Sequence, residues 1–418
     1  MDYLNLISEQ KQNKTAIIAD GQSYTYGDLV RKAADIRCRI NKAEKYIFIH
    51  EEKIIDQLIL FLAYSGTDCK PIIATAASKN QQFTVEEIPP SACMGVMTSG
   101  STGKSKLFWR SYYSWADFFP LQNRVFGIDE QTVIFCQGSL AFTGNLNIYL
   151  GVFAAGGTVV ATEKFRPKYW LDLMLKYNVN AIYLIPTKLL LLPKFSSMPN
   201  SSIKQIVSGS QNMDKSDALK LKRLFPDCII TLYYGASELN YITYIKDTEM
   251  TDDRTVVGKP FANVKITIRN EEIFIDTPYH VEGVTLPFSL KDRGYIDDEG
   301  SLHFLGRKDD ICNINGLKIS LNKVENALRK ILDIDEAALL PFRQNDSDVL
   351  CAFIPGSEKQ NKTALIRELR TYLTDFEIPK YFIYLKSLPK NESGKIDKFK
   401  LYNMIEQNED SIKNIYFK

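Results

Sequence analysis

Apolar positions along the chain change period several times, and each change marks an element. AIIAD at 16–20 and GQSYTYG at 21–27 read as a hairpin, and Thr25 with Asp28 can cap the helix behind it. Leu29, Ala33, Ile36 and Ile40 then recur at helical spacing. YIFIH at 46–50 reads as a buried strand and Ile54 to Tyr64 as a helix, and strand and helix alternate again through GTVVA, YWLDLMLKYNV, AIYLIP, SIKQIVSGS and IITLYYG. That alternation predicts an α/β fold of mainly parallel sheets covered by helices. ITIRNEEIFIDTPY at 266–279 keeps a two-residue period for longer, which predicts a small antiparallel piece attached to the body.

Near residue 306 the pattern breaks into short strands and turns, GRKDDICNINGLKIS. A helix over 321–332 follows, with Val324, Leu328 and Ile331 on one face; then come strands AALLPF and DVLCAFIP, a helix over 363–373 and a Gly/Pro-marked loop at 389–395. This predicts a large N-terminal domain over 1–306 and a small α+β domain over 307–418. The length of 418 residues also exceeds what one core usually organises.

Composition narrows the function only by exclusion. A formal net charge of +2 gives no general pull toward nucleic acid or anionic lipid. The seven cysteines are scattered and never spaced Cys-x-x-Cys, as expected of unpaired, mostly buried thiols in a reducing cytoplasm. With three histidines, none near a cysteine or another histidine, a zinc site is not expected, and His303 reads as an exposed strand residue. The start lacks a signal pattern and no apolar run approaches a bilayer span, so a soluble cytoplasmic protein is expected.

The densest chemistry is MTSGSTGKSK at 97–106, directly after a strand ending near Met97. Glycines let backbone N–H groups approach an anion, hydroxyls add neutral donors, and lysine neutralises phosphate. Two further readings compete, a flexible polar loop and a Walker A loop. Gly103-Lys104-Ser105 fits the end of Walker A, but Thr98 stands where its first glycine belongs, and aromatic-rich LFWRSYYSW follows.

Four more segments accompany the loop: YYGASE at 233–238, FSLKDRGYIDDEGSLHFLGRKDD at 288–310, INGLKISLNKVE at 314–325 and PKNESGKI at 389–396. In this order the five resemble the motifs of the superfamily of AMP-forming acyl-CoA synthetases, adenylation domains of peptide synthetases, and luciferases. The resemblance runs from about residue 15 to 405. It implies ATP, Mg²⁺, a carboxylic acid and a thiol acceptor, either coenzyme A or the phosphopantetheine of an acyl carrier protein.

The resemblance also implies roles. Thr98, Ser99, Gly100, Ser101, Thr102, Gly103 and Lys106 would form the phosphate loop, with Ser105 in place of the family's proline. Gly209, Ser210, Tyr234 and Gly235 would border the nucleotide, Ser237 would meet the α-phosphate, and Glu238 would hold the metal. Asp292 and Arg307 would take the ribose hydroxyls, although Leu290-Lys291 replace the family's Thr-Gly. Lys395 would be the catalytic lysine, Asp309 the hinge, and Gly316 part of the loop on the thiol tunnel. Phe142 and Tyr233 would line the acid pocket; no carboxylate occurs in QGSLAFTGN at 137–145, which favours an aliphatic or aryl acid over a free amino acid. The stretches from Gly66 to the loop and from Glu238 to Gly258 are shorter than in relatives. A carrier-loading acyl-AMP ligase and a non-catalytic acyl-adenylate or nucleotide-binding relative are the alternatives.

Overall fold

The alternating text folds, in chain order, into strands β1 Thr15–Ala19, β2 Gln22–Thr25, β3 Tyr46–Ile49, β4 Lys70–Ile73, β5 Ala92–Thr98, β6 Lys106–Ser111 and β7 Val133–Gln137. β8 Thr158–Thr162, β9 Ala181–Tyr183, β10 Gln205–Gly209, β11 Ile229–Ala236, β12 Asn240–Lys246 and β13 Val256–Pro260 follow. The computed structural model describes residues 2–40, 43–74, 85, 87–98, 106–307, 311–314, 317–344, 347–357, 361–391 and 394–407. The chain divides into two compact units, one of residues 1–266, 275–288 and 300–302, the other of 267–274, 289–299 and 303–418.

In the first unit β1, β8, β7, β9, β10 and β11 lie side by side and parallel. β2, β12 and β13 add antiparallel margins. A parallel sheet must bury both faces, which is why its strands read as continuous apolar runs. The core on one face joins Phe135, Val160, Ile182 and Ile206 of the strands to Trp170, Leu173, Leu221 and Leu224 of the helices Pro167–Lys176 and Lys215–Leu224. A second sheet runs β3, β4, β5, β6, parallel except for its last pair. The capping box read from sequence is present: Thr25 Oγ1 accepts from the Asp28 N–H while the Asp28 carboxylate accepts from the Thr25 N–H. The cysteines are unpaired, and Cys69, Cys93, Cys136, Cys228 and Cys351 are buried. Among the described residues no helix is long and apolar enough to cross a membrane.

The second unit takes most of the strands β14 Lys265–Arg269, β15 Glu272–Asp276, β16 Phe288–Ile296 and β17 Leu302–Arg307. It goes on through β18 Ile311–Ile314 and β19 Leu317–Ser320 to a three-stranded sheet of β20 Ala338–Gln344, β21 Ser347–Pro355 and β22 Tyr381–Leu385. Successive residues of that sheet face opposite sides. Leu339, Ala352 and Phe382 pack on Val324, Leu328, Leu365 and Leu369 of two helices, whereas Leu340, Phe353 and Ile383 pack on Leu401 and Ile405 of the helix Lys398–Gln407. The loop ending at Lys395 is therefore strung between β22 and a helix anchored on that sheet. The helix expected over 363–373 ends earlier, at Leu369, and residues 370–372 form a turn. His303 is buried rather than exposed: it stacks on Tyr295 at 4.3 Å between ring centroids, and its Nε2 lies 3.1 Å from the Asp297 carboxylate.

Candidate active site

β10 and β11 run parallel with Gly209, the last residue of β10, opposite Tyr233, so Tyr233 lies level with the carboxyl end of β10, where open parallel sheets collect ligands. A Cβ on Gly209 would run into the Tyr233 ring, so only glycine lets that ring cross the end of β10. Ser210 follows, exposed, with a left-handed φ of 67°. The buried Tyr233 hydroxyl lies 2.7 Å from that of Tyr183, the last residue of β9, and the two rings are parallel within 4°. Burial pushes the Tyr233 phenol up to about 12, while hydrogen bonds with Tyr183 and Ser210 hold it back.

Phe142 stands before the helix Thr143–Ala154 and is half-buried. A Cβ on Gly144 would collide with the Tyr183 hydroxyl and come within 3.1 Å of the Phe142 ring. Phe142, Tyr183 and Tyr233 thus gather around one glycine and one strand end. Losing the Tyr233 hydroxyl leaves the buried Tyr183 hydroxyl without this partner. Tyr233→Phe is therefore expected to cost about 1–3 kcal/mol of stability, and the Tyr183→Phe/Tyr233→Phe double variant less than the sum of the singles; equilibrium denaturation of the four proteins measures this.

The ends of the phosphate loop are held face to face, since Thr98 closing β5 pairs with Lys106 opening β6. Ser99, Gly100, Ser101, Thr102 and Gly103 lie outside the described residues. Thr143 donates to the Met97 carbonyl at 3.4 Å, tying the helix after Phe142 to the strand that carries the loop. Beside this tie Ile73, Met97, Leu140, Ala141, Thr143 and Leu146 line a small open recess.

Tyr234 and Gly235 end β11, and the turn back into β12 carries Ser237 and Glu238. The turn is tight: a Cβ on Gly235 would sit 2.6 Å from the Asn240 carbonyl oxygen, and Asn240 itself has φ of 66°. Arg110, on the strand after the phosphate loop, is fully buried. Its guanidinium donates to the Ser237 carbonyl at 2.7 Å, the Tyr279 carbonyl at 3.1 Å and the Ser114 hydroxyl at 3.0 Å, and lies over the Trp115 ring. Burial brings Arg110 down to about 10, with the field of Glu238 acting to raise it. The Val281 N–H donates to the Glu238 carbonyl at 2.8 Å, fixing the turn from its other side. Among the described residues the half-buried Glu238 carboxylate makes neither a hydrogen bond nor an ion pair.

In the second unit Asp292 is buried, and its Oδ1 lies 3.4 Å from Arg307 Nε. Lys291, where the family resemblance expects glycine, keeps the left-handed backbone a glycine would adopt, with φ of 63°. Its N–H donates to the Ser289 hydroxyl at 3.0 Å and its ammonium lies 3.3 Å from Glu272. Lys395 closes a turn in which Gly394 has φ of 81°. Asn391 Oδ1 accepts from the Lys395 N–H at 3.0 Å, and the Asn391 N–H donates to the Lys395 carbonyl at 2.8 Å. Lys395 as a residue is half-buried, but its ammonium is desolvated, and this, with the nearby Arg307 charge, holds it below the ordinary lysine range. Asp309 and Gly316 lie outside the described residues.

Residues 63–284 match the AMP-binding enzyme family. The chain belongs to that family. It is an AMP-forming ligase that uses ATP. An uncharacterized acyl-CoA ligase of Bacillus subtilis strain 168, YhfT, is 29% identical over 328 residues, spanning 74% of this chain and 68% of that protein. A D-alanine–D-alanyl carrier protein ligase of Lactococcus lactis is 25% identical, spanning 72% and 68% respectively. The o-succinylbenzoate CoA synthetase of Bacillus subtilis, solved with an acyl-adenylate intermediate, covers 96% of this chain and 97% of its own at 18% identity, with a TM-score of 0.79. At that identity the likeness concerns the fold, a large sheet domain followed by a small C-terminal one.

Family membership removes the Walker A reading of the loop. Two residues at the strand ends escaped sequence reasoning. Arg110 sat inside an aromatic-rich stretch, and its partners Ser237 and Tyr279 are far away in sequence. Tyr183 closed a short apolar run that reads as core. An arginine one residue from the end of the strand after a phosphate loop was the available signal for the first.

Proposed function

We propose that this ligase activates an aliphatic or aryl carboxylic acid on ATP and passes the acyl group to coenzyme A. The observation that carries the reading is the pairing of an aromatic pocket free of carboxylates, at Phe142, Tyr183 and Tyr233, with an uncommitted Glu238 on a rigidly held turn one strand end away. A carboxylate oxygen attacks the α-phosphorus while the bond to pyrophosphate breaks; the thiolate then attacks the acyl carbonyl and AMP leaves. Both partners of the first step are anions, so charge neutralisation dominates its barrier.

The phosphate loop and Lys106 bind the β- and γ-phosphates, and Ser237 donates to the α-phosphate. Mg²⁺ is commonly held by one or two carboxylates together with substrate phosphates and water, a donor set that a single unspent Glu238 carboxylate fits. Bound there, the ion screens phosphate charge. Asp292 and Arg307 orient the ribose, and the Lys395 ammonium neutralises charge on the acid and α-phosphate as it builds.

The carrier-protein ligase among the relatives favours a second acceptor, phosphopantetheine on an acyl carrier protein. Mass spectrometry of thioesters separates the two. Acyl-CoA is expected when ATP, Mg²⁺, an acid panel and free CoA are supplied, whereas thioester formed only on a phosphopantetheinylated carrier would replace CoA by the carrier.

A further inference from the structure

Lys188 sits on the short helix Pro186–Leu189 that leaves β9, between the ends of β7 and β10. The Thr187 N–H donates to Gln211 Oε1 at 3.2 Å, so this helix is pinned to the segment leaving β10. On the other side Lys188 Nζ comes within 3.8 Å of the point where a side chain on Gly138 would begin. Gly138 belongs to the segment leaving β7 that leads to Phe142, and its φ of 112° keeps that point free of a side chain.

Around Gly138 the neighbouring donors are already engaged, which leaves the Lys188 ammonium as the group without a partner among the described residues. Asn145 Nδ2 lies 3.3 Å from the same point and donates to the carbonyls of Ser139 and Gln137. The Gly138 N–H donates to the Thr162 carbonyl. Among the described residues no carboxylate pairs with Lys188 and no hydrogen bond is made by its ammonium. Lys188 is half-buried, and burial alone brings its ammonium down to about 8, a cost that an anion placed over Gly138 would relieve. Its sequence neighbours Leu184, Ile185, Leu189 and Leu190 are all buried.

The geometry points to Lys188 as the receptor for a second, anionic group on the acid substrate, remote from the carboxylate that reacts. This rests on the proposed adenylation and narrows its substrate class to acids that carry a further carboxylate or an equally charged group at their far end. The Phe142, Tyr183 and Tyr233 side chains would hold the hydrocarbon between the two.

The test compares glutarate, adipate and terephthalate, each against its own monoamide, in acid-dependent pyrophosphate exchange by the full chain. A charged hydrogen-bonded contact corresponds to a preference on the order of tenfold or more in kcat/KM for at least one diacid. Lys188→Met is expected to bring that ratio near one and Lys188→Arg to retain it. An unchanged ratio in Lys188→Met, or equal use of every diacid and its monoamide by the native protein, overturns the assignment and leaves adenylation standing. Absence of exchange with any acid overturns adenylation instead. Thermal shift with the same acids in the absence of ATP then decides Lys188 separately: stabilisation by diacid that is lost in Lys188→Met supports it, and equal shifts in both proteins reject it.

Discussion

Replacing Lys395 by alanine is expected to lower acid-dependent pyrophosphate exchange by about 10²–10³-fold, the loss typical of one preorganised contact to transition-state charge. Folding should be spared. The backbone of this turn is held by Asn391 through bonds to the Lys395 N–H and carbonyl, and these survive the substitution. Desolvation, assisted by Arg307, holds the ammonium below the ordinary lysine range, so the folded state disfavours its charged form. The sign follows from linkage: a lysine with a depressed folded value detracts from stability below that value and ceases to do so as pH rises past the unfolded one. Alanine at 395 should therefore unfold at the same temperature as the native chain or slightly above it. Exchange rate and melting temperature measured together distinguish a lost catalytic charge from a lost fold; native exchange by a folded Lys395→Ala protein would remove this residue from the chemistry.

Arg110→Ala should act through both stability and activity. The guanidinium is fully buried and shared between the Ser237 and Tyr279 carbonyls and the Ser114 hydroxyl. Each buried acceptor left without its donor costs about 1–3 kcal/mol, so the variant should lose about 3–5 kcal/mol in denaturant unfolding. Arginine reaches all three partners through one planar fork, which a lysine ammonium cannot reproduce, so Arg110→Lys should recover only part of that loss. Because the same fork holds the carbonyl of Ser237, next to Glu238, the folded fraction of Arg110→Lys is expected to need more Mg²⁺ for half-maximal exchange than the native ligase. An unchanged Mg²⁺ requirement would confine Arg110 to a structural role.

Much of this was legible in the chain because it depends on local patterns. The Thr25 and Asp28 capping box, the apolar parallel strands and the Tyr234-Gly235 exit are each encoded within a few residues. The phosphate loop, the Glu238 turn and the Lys395 turn stood out through their resemblance to the motifs of the family. What escaped is non-local. Arg110 acquires its role only when Ser237 and Tyr279 arrive, and Tyr183 only when β9 and β11 place two hydroxyls 2.7 Å apart. Lys188 was hidden in a leucine-rich stretch of which Leu189, Leu190 and Leu192 are core. His303 misled for the same reason: its strand position read as exposed, but Tyr295 and Asp297 close over it. The Lys291 departure shows the converse, a motif altered in sequence whose left-handed backbone persists.

Exchange of labelled pyrophosphate into ATP, with Mg²⁺ and a panel of carboxylic acids but no thiol, tests the central claim most directly. The account predicts exchange that depends on the acid, is lost in Lys395→Ala, and gives way to AMP release with thioester formation once the thiol acceptor is added. Exchange that proceeds without any acid, or ADP in place of AMP as the nucleotide product, would contradict it.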